Sequence, residues 1–302
     1  MHEVRSSELV RRGEHILFHR APAEALADLR AAAAGGPTTS DAARALWLSG
    51  VTLGALGRYG EALDLLAPTT GSAIPVHGQP RYASLAASTS ASIYRQLGRH
   101  ADAEALDQRA LALAGTADDA VFDARLGLAA DAVGLHRGTD ARNRFRVAAA
   151  VVPAGSWRHA VRRDWVAVEV ALLDGDAGTA VVTARRAVAG SEEAQAPRHV
   201  AKSLLFLGAS LLGEQRAAGG RADEAAAVLR RAGSLAEGLS ALPLVWVARA
   251  LLAALEGATD PDGAAASLKS ARAAVAGIAG GLSPADRVAW LARPDLTALG
   301  VA

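Results

Sequence analysis

Leu56-Gly57-Arg58-Tyr59-Gly60-Glu61-Ala62-Leu63 returns as Leu97-Gly98-Arg99-His100-Ala101-Asp102-Ala103-Glu104-Ala105. More worn copies are Gly175-Asp176-Ala177-Gly178-Thr179-Ala180 and Gly219-Gly220-Arg221-Ala222-Asp223-Glu224-Ala225. Each copy lies between two segments with helical periodicity. A helix-turn-helix unit repeated along a chain means stacked hairpins, each burying the open face of the one before. The expectation is an all-α chain built as one continuous unit over residues 1–302.

Composition agrees with that reading. Hydrophobic residues make up 51% of the chain but aromatics only 4%, so small side chains, alanine above all, must fill most of the core. Alanine has the highest helix propensity and lets helix axes come close. Strand-like alternation is missing over any long run. Glycine, proline and polar clusters divide the chain into helices near 6–18, 22–34, 40–56, 59–68, 80–97, 100–115, 119–134, 139–151, 157–174, 177–189, 195–218, 222–237, 243–256, 263–279 and 284–292. The longest loops expected are Pro68 to Pro80 and Gly257 to Gly263. Start signals are Ser40-Asp41 and Ser283-Pro284 with Asp286 in the first turn.

Formal net charge is +1, so the field of the whole molecule does not favour nucleic acid. Cysteine is absent, which excludes disulfides, thiolate metal sites and cysteine nucleophiles. Only Lys202 and Lys269 are lysines; with the abundant alanine and glycine, this reads as coding bias rather than function. Residues 1–12 are charged and lack the apolar core of a secretory signal. The most apolar stretches, Ser203 to Gly213 and Leu242 to Leu255, are too short to span a bilayer. A cytoplasmic protein that does not enter membranes is expected.

The repeat resembles the tetratricopeptide repeat, a pair of antiparallel helices of about 34 residues. The residues that carry the resemblance are Leu46, Gly50, Leu53, Gly57, Tyr59, Ala62 and Leu66 in the first clear copy. In the second they are Ala87, Ala91, Tyr94, Gly98, His100, Ala103 and Ala110. Gly50 or Ala91 opposite Ala62 or Ala103 permits close crossing, and Gly57 and Gly98 supply a left-handed residue that ends helix A cheaply. Later copies are weaker. The copy around Ala124 to Ala148 aligns in two ways, through Gly134 or through Ala141 and Phe145. The resemblance covers about residues 40–280 and implies a right-handed α-solenoid. Residues 1–39 would form an N-terminal helical cap, and 281–302 a C-terminal one in which Val288, Trp290 and Leu291 cover the last open face.

No familiar catalytic or nucleotide-binding signature occurs: no P-loop, G-x-G-x-x-G, G-x-S-x-G, H-E-x-x-H or S-x-x-K. No catalytic residue, metal or cofactor is therefore assigned. His15 and His19 share a helix face at a spacing that can bind a metal, but no third ligand is obvious. Asp260-Pro261-Asp262-Gly263 resembles part of a calcium loop and reads better as a helix-capping turn. The densest basic and aromatic cluster runs from Trp157 to Trp165. It is either a core stripe flanked by solvated arginines or a groove wall for an acidic peptide or other anion, with nucleic acid a third reading.

In tetratricopeptide proteins the A helices line a concave groove. Transferred residue by residue, the resemblance places Arg44 and Trp47 in the first copy, Arg95 in the second, Arg125 in the ambiguous third, Arg162, Trp165 and Glu169 in a fourth, and Lys202 in a later one. That groove is net positive. Arginine suits bidentate carboxylate capture, and tryptophan is a frequent hot-spot anchor. The implied function is a non-enzymatic scaffold that holds a peptide or protein segment of acidic character. Replacing Arg95 and Arg162 by Glu is expected to abolish binding and leave folding intact. The alternatives are a regulatory sensor of a small peptide or metabolite acting in trans, an enzyme with an unfamiliar site, and a homo-oligomer joined through its terminal helices.

Overall fold

Glycine and proline punctuation sets the helix ends closely in the computed structural model, which describes residues 2–34, 39–70 and 79–301. Among the described residues there are sixteen helices and no strand. They are α1 (His2–His19), α2 (Pro22–Ala33), α3 (Ser40–Leu56), α4 (Tyr59–Thr70), α5 (Pro80–Gln96), α6 (His100–Leu113), α7 (Asp118–Gly134), α8 (Gly138–Ala149), α9 (Trp157–Leu173), α10 (Ala177–Glu193), α11 (Pro197–Ala218), α12 (Ala222–Gly238), α13 (Leu242–Glu256), α14 (Pro261–Gly280), α15 (Pro284–Leu291) and α16 (Pro294–Thr297).

The chain divides into two compact units, residues 1–159 and 160–302. In the first, each helix from α1 to α8 packs on the next. The odd-numbered helices also stack: α1 on α3, α3 on α5, α5 on α7. In the second, α10 to α14 pack in succession, α11 touches α13, and α15 and α16 follow on α14. Sequential hairpins with an additional odd-on-odd layer are the arrangement of a helical repeat.

The crossings in the first unit show why the repeat needs small residues. A Cβ at Gly50 would overlap the fully buried side chain of Leu66 on α4. The expected opponent, Ala62, is also fully buried, but Leu66 fills the space above the glycine. Gly13 on α1 stands in the same relation to Leu29 on α2, sixteen residues on in both cases. The N-terminal pair therefore uses the packing device of the clear repeat, although its sequence has lost the rest of the motif.

Gly57 ends α3 with φ 83°, and its N–H bonds back to Gly54 O. Gly98 and Gly175 serve the same purpose at φ 79° and 76°. The corresponding left-handed position between α7 and α8 is held by His136, while Gln195 and Ser240 take that conformation in the turns after α10 and α12. This is why the glycine signal fades in the third copy: Gly134 is the last residue of α7, and the turn residue is His136. The two alignments of the third copy describe one hairpin, with Gly134 ending α7 and Ala141 and Phe145 on α8.

Caps agree in kind with the sequence and differ in detail. Thr39, one residue before the expected Ser40-Asp41, caps α3 by accepting a hydrogen bond from Ala42 N at 3.2 Å. Ser283 caps α15 from Asp286 N, and Asp260 caps α14 from Gly263 N at 3.0 Å. The Asp260–Gly263 stretch is thus a capping turn. Helix α4 carries Pro68 in its last turn and continues to Thr70; residues 71–78 of the expected loop lie outside the described residues. At the C-terminus Trp290 is buried at 1% exposure, but Val288 is 71% exposed and covers nothing. The short helix α16, which periodicity did not reveal, buries Leu296.

Substituting Gly50→Ala should lower stability by about 1–3 kcal/mol, because the added methyl forces Leu66 out of a packed position. The companion change Leu66→Val should recover part of the loss. Urea denaturation of the two variants checks this; an unchanged midpoint for Gly50→Ala would contradict the close crossing.

Candidate functional site

The first unit contains a cavity of about 440 Å³. Helix α1 supplies Arg11, Glu14, His15, Phe18 and His19; α3 supplies Arg44 and Trp47; α5 supplies Arg81 and Tyr82; α7 supplies Asp119; and residues 156–159 close one side. All four complete helices are odd-numbered members of the stacked layer. The spacing explains the convergence. Glu14 and Phe18, like His15 and His19, stand four apart, so they project from one side of α1. Arg44 and Trp47 do so at three.

Aromatic rings form the walls. Trp47 is only 6% exposed, yet its face reaches the cavity. Its indole N–H donates to Thr89 Oγ1 at 3.0 Å, and its ring lies 6.2 Å from that of Tyr82. Trp157 meets Phe18 edge to face at 6.3 Å and His19 at 5.9 Å. His15 and His19 sit with ring centroids 4.8 Å apart. Trp47 is therefore both core and wall, since one edge is anchored among buried residues while one face remains open to the cavity.

Four arginines and two carboxylates line this aromatic shell. Arg44 pairs with Glu14. Arg81 holds Asp119 through two nitrogens, Nε at 3.0 Å and Nη2 at 2.7 Å, and that bond keeps the guanidinium above its ordinary pKa. Arg158 lies 5.6 Å from the Phe18 ring and 6.0 Å from the Trp47 ring. Its Nη2 reaches Asp123 Oδ2 at 3.4 Å. Arg11 is exposed and has no ion-pair partner among the described residues. Three of the four guanidinium groups are thus met by carboxylates, and the net excess at the cavity is the one charge of Arg11, set beside aromatic faces.

Of the residues expected in a groove, Arg44 and Trp47 line this cavity. Trp157, Arg158 and His159 from the basic-aromatic cluster join them, as do His15 and His19. Among the described residues no group of three or more His, Asp or Glu side chains is placed to hold a metal ion. Arg11, Arg81, Tyr82 and Asp119 escaped the sequence reading, and Phe18, read there as part of the buried face of a capping helix, is a wall of the cavity. Arg81-Tyr82 directly after Pro80 was the signal available for one wall, but nothing local relates it to α1.

Arg95 and Arg125 lie elsewhere in the first unit. Arg125 is half-buried on α7. Arg95 enters the space between α5, α6 and α7, where its Nη1 donates to Asp107 Oδ2 at 2.5 Å and Asp131 Oδ1 at 2.8 Å. Its side chain is 14% exposed and both carboxylates 0%. Burial opposes the charge on Arg95, but the two aspartates hold its pKa above the ordinary value. This arginine tethers three helices.

The remaining expected residues belong to the second unit. Trp165 is stacked at 5.3 Å on His199 and at 6.2 Å on Phe206, and its N–H donates to Ser203 Oγ at 2.8 Å. Lys202 Nζ lies 4.4 Å from the Trp165 ring. Arg162 and Glu169, on the same helix as Trp165, are half-buried. Trp165 and Lys202 thus meet in a cation–aromatic contact.

No family model matches this chain, and no curated protein matches it in sequence. Among the described residues, no helix is long and apolar enough to cross a membrane.

Arg95→Glu should destabilise the protein by about 3–5 kcal/mol, since it would leave a third carboxylate among buried charges without a cation. This corrects the expectation that the substitution spares the fold. Chemical denaturation of the variant checks it, and a wild-type midpoint would contradict the tether.

Proposed function

We propose that this protein is a non-enzymatic interaction scaffold, a right-handed solenoid of tetratricopeptide type that works in the cytoplasm. Its first unit takes an acidic segment of a peptide or protein partner. The observation that carries this reading is the cavity in which Arg11, Arg44, Arg81 and Arg158 face Trp47, Tyr82, Phe18 and Trp157. An aromatic side chain of the partner would stack between the rings while a neighbouring carboxylate approaches Arg11 and Arg158. Aromatic and arginine residues carry a disproportionate share of binding energy when they converge in this way. Arg44 and Arg81 are already bound to Glu14 and Asp119. They hold the walls, and Arg11, which is exposed at the rim, is the cation that first meets a partner's carboxylate.

A second reading follows from the cavity's size. About 440 Å³ lies within the range of small-molecule sites, so the same chemistry suits a sensor of a small aromatic carboxylate acting on a partner in trans. A rise in melting temperature with an N-acetylated aromatic amino acid, and none with acidic peptides, would favour the sensor.

The test uses a fluorescein-labelled pentapeptide of Asp and Glu around a central Phe, with the same peptide carrying Lys in place of the acids as control. Anisotropy titration should show binding of the acidic peptide only. Arg11→Glu and Arg158→Gln should each weaken it at least tenfold, about 1.4 kcal/mol or more, with affinity falling as salt rises. Equal binding of the lysine peptide, or wild-type affinity in both variants, would sink the reading.

A further inference from the structure

Asp107 and Asp131 are both fully buried and share one nitrogen of one arginine. The guanidinium balances one negative charge, and the second has no cation. Asp107 Oδ1 and Asp131 Oδ2 are buried without a hydrogen-bond partner. Gly127 is why the carboxylates come so close: any Cβ there would overlap the Asp107 carboxylate, so α6 rests directly against the backbone of α7. Two carboxylates so placed cannot both remain ionised at modest cost, and a shared proton resolves the imbalance.

We propose that Arg95, Asp107 and Asp131 form a proton-operated clamp on α5, α6 and α7: the folded protein holds one proton on the aspartate pair near neutral pH, and its loss loosens these three helices. Burial, reinforced by the neighbouring Asp131 charge and opposed by Arg95, pushes the Asp107 carboxyl up to about 7. Burial pushes Asp131 in the same direction. The proton belongs to the pair rather than to either residue.

The other ionisable groups nearby are accounted for. On α6, Glu104 faces Asp131 and is bonded by Arg137 and Arg144 from the α7–α8 hairpin. His100, also on α6, packs against Gly134 of α7. Asp140 on α8 is bonded to Arg144, and Arg99 before α6 to Asp102. Helices α3 and α4 also pack on α5. Of their charged groups, Asp41 is bonded to Ser7, Arg44 to Glu14 and Glu61 to Arg58, while Asp64 is exposed.

The sign of the pH effect follows from the direction of the shift. An aspartate whose folded pKa lies above the ordinary value of 3.8 stabilises the fold fully below that value. The contribution is lost as pH rises toward the folded value and is constant beyond it. Glu104 and Glu237 act oppositely, because their arginine partners hold them below the ordinary 4.5; their effect is confined to more acid solution. The two windows are separate.

Hydrogen exchange of the full chain, corrected for the intrinsic pH dependence of exchange, reads the clamp without any ligand. Success or failure is therefore independent of the peptide reading above. The opening equilibrium over Ser88–Gln96 and Gly127–Gly134 should rise by up to tenfold per pH unit between about pH 5 and 7, and level off above. Segment 264–278 of α14 should show no such slope. Asp107→Asn, which imitates the protonated acid, should flatten the profile, with Asp131→Asn as the second variant. A flat wild-type profile, or an unchanged slope in the variants, overturns the proposal. If neither variant folds, a carboxyl NMR titration of aspartate-labelled wild type decides. One aspartate titrating near neutrality supports the clamp; all of them titrating below about pH 5 overturns it.

Discussion

Backbone-to-backbone distance across each hairpin is set by the residues at the crossing, and in this chain those residues are alanine and glycine. Ala62, Ala86, Ala103, Ala110 and Ala124 are all fully buried. Each buries little area by itself, so cohesion depends on many close contacts rather than on a few large side chains. Gly13 and Gly50 carry this furthest, letting Leu29 and Leu66 seat directly on a helix backbone. Because most of the core is built from small residues, the few large ones matter individually. Phe18, Trp47, Tyr82 and Trp157 cluster where the stacked odd helices leave space that alanine does not fill.

The same close approach produces two different electrostatic sites in the first unit. At the N-terminal ends of α5 and α7, Arg81 and Asp119 pair on the wall of an open cavity. Toward their C-terminal ends, Arg95 and Asp131 pair in a closed space with Asp107 added. The first site is open to solvent, which screens the Arg81–Asp119 pair. At the second the carboxylates are enclosed, so a charge without a cation is costly there. Helices α5 and α7 are thus joined by an ion pair toward each end.

Much of the architecture was legible in sequence because helix ends are local matters. Proline at the first helical position marks α5 and α15, and a left-handed glycine ends α3; neither signal depends on distant residues. The signal weakened after α7, where the exposed His136 takes the left-handed turn in place of glycine. Val288 misled because apolar character in a terminal helix says nothing about which face meets the previous helix.

Sequence alone determined an all-helical chain of repeated hairpins, with small residues at the crossings and a few aromatics and arginines on the A helices. Those features follow from propensity, periodicity and capping, which act within a few residues. Only the tertiary structure decided that Arg44 and Trp47 face a cavity while Arg95 is enclosed. The partners that decide it are distant: Arg44 meets Glu14 thirty residues away, and Arg95 meets Asp131 thirty-six away. An arginine on an A helix has the same local sequence signature whether its charge is met by a ligand or by a buried aspartate. Which one applies depends on how neighbouring helices rotate about their axes, and that rotation is set by the summed packing of all the hairpins.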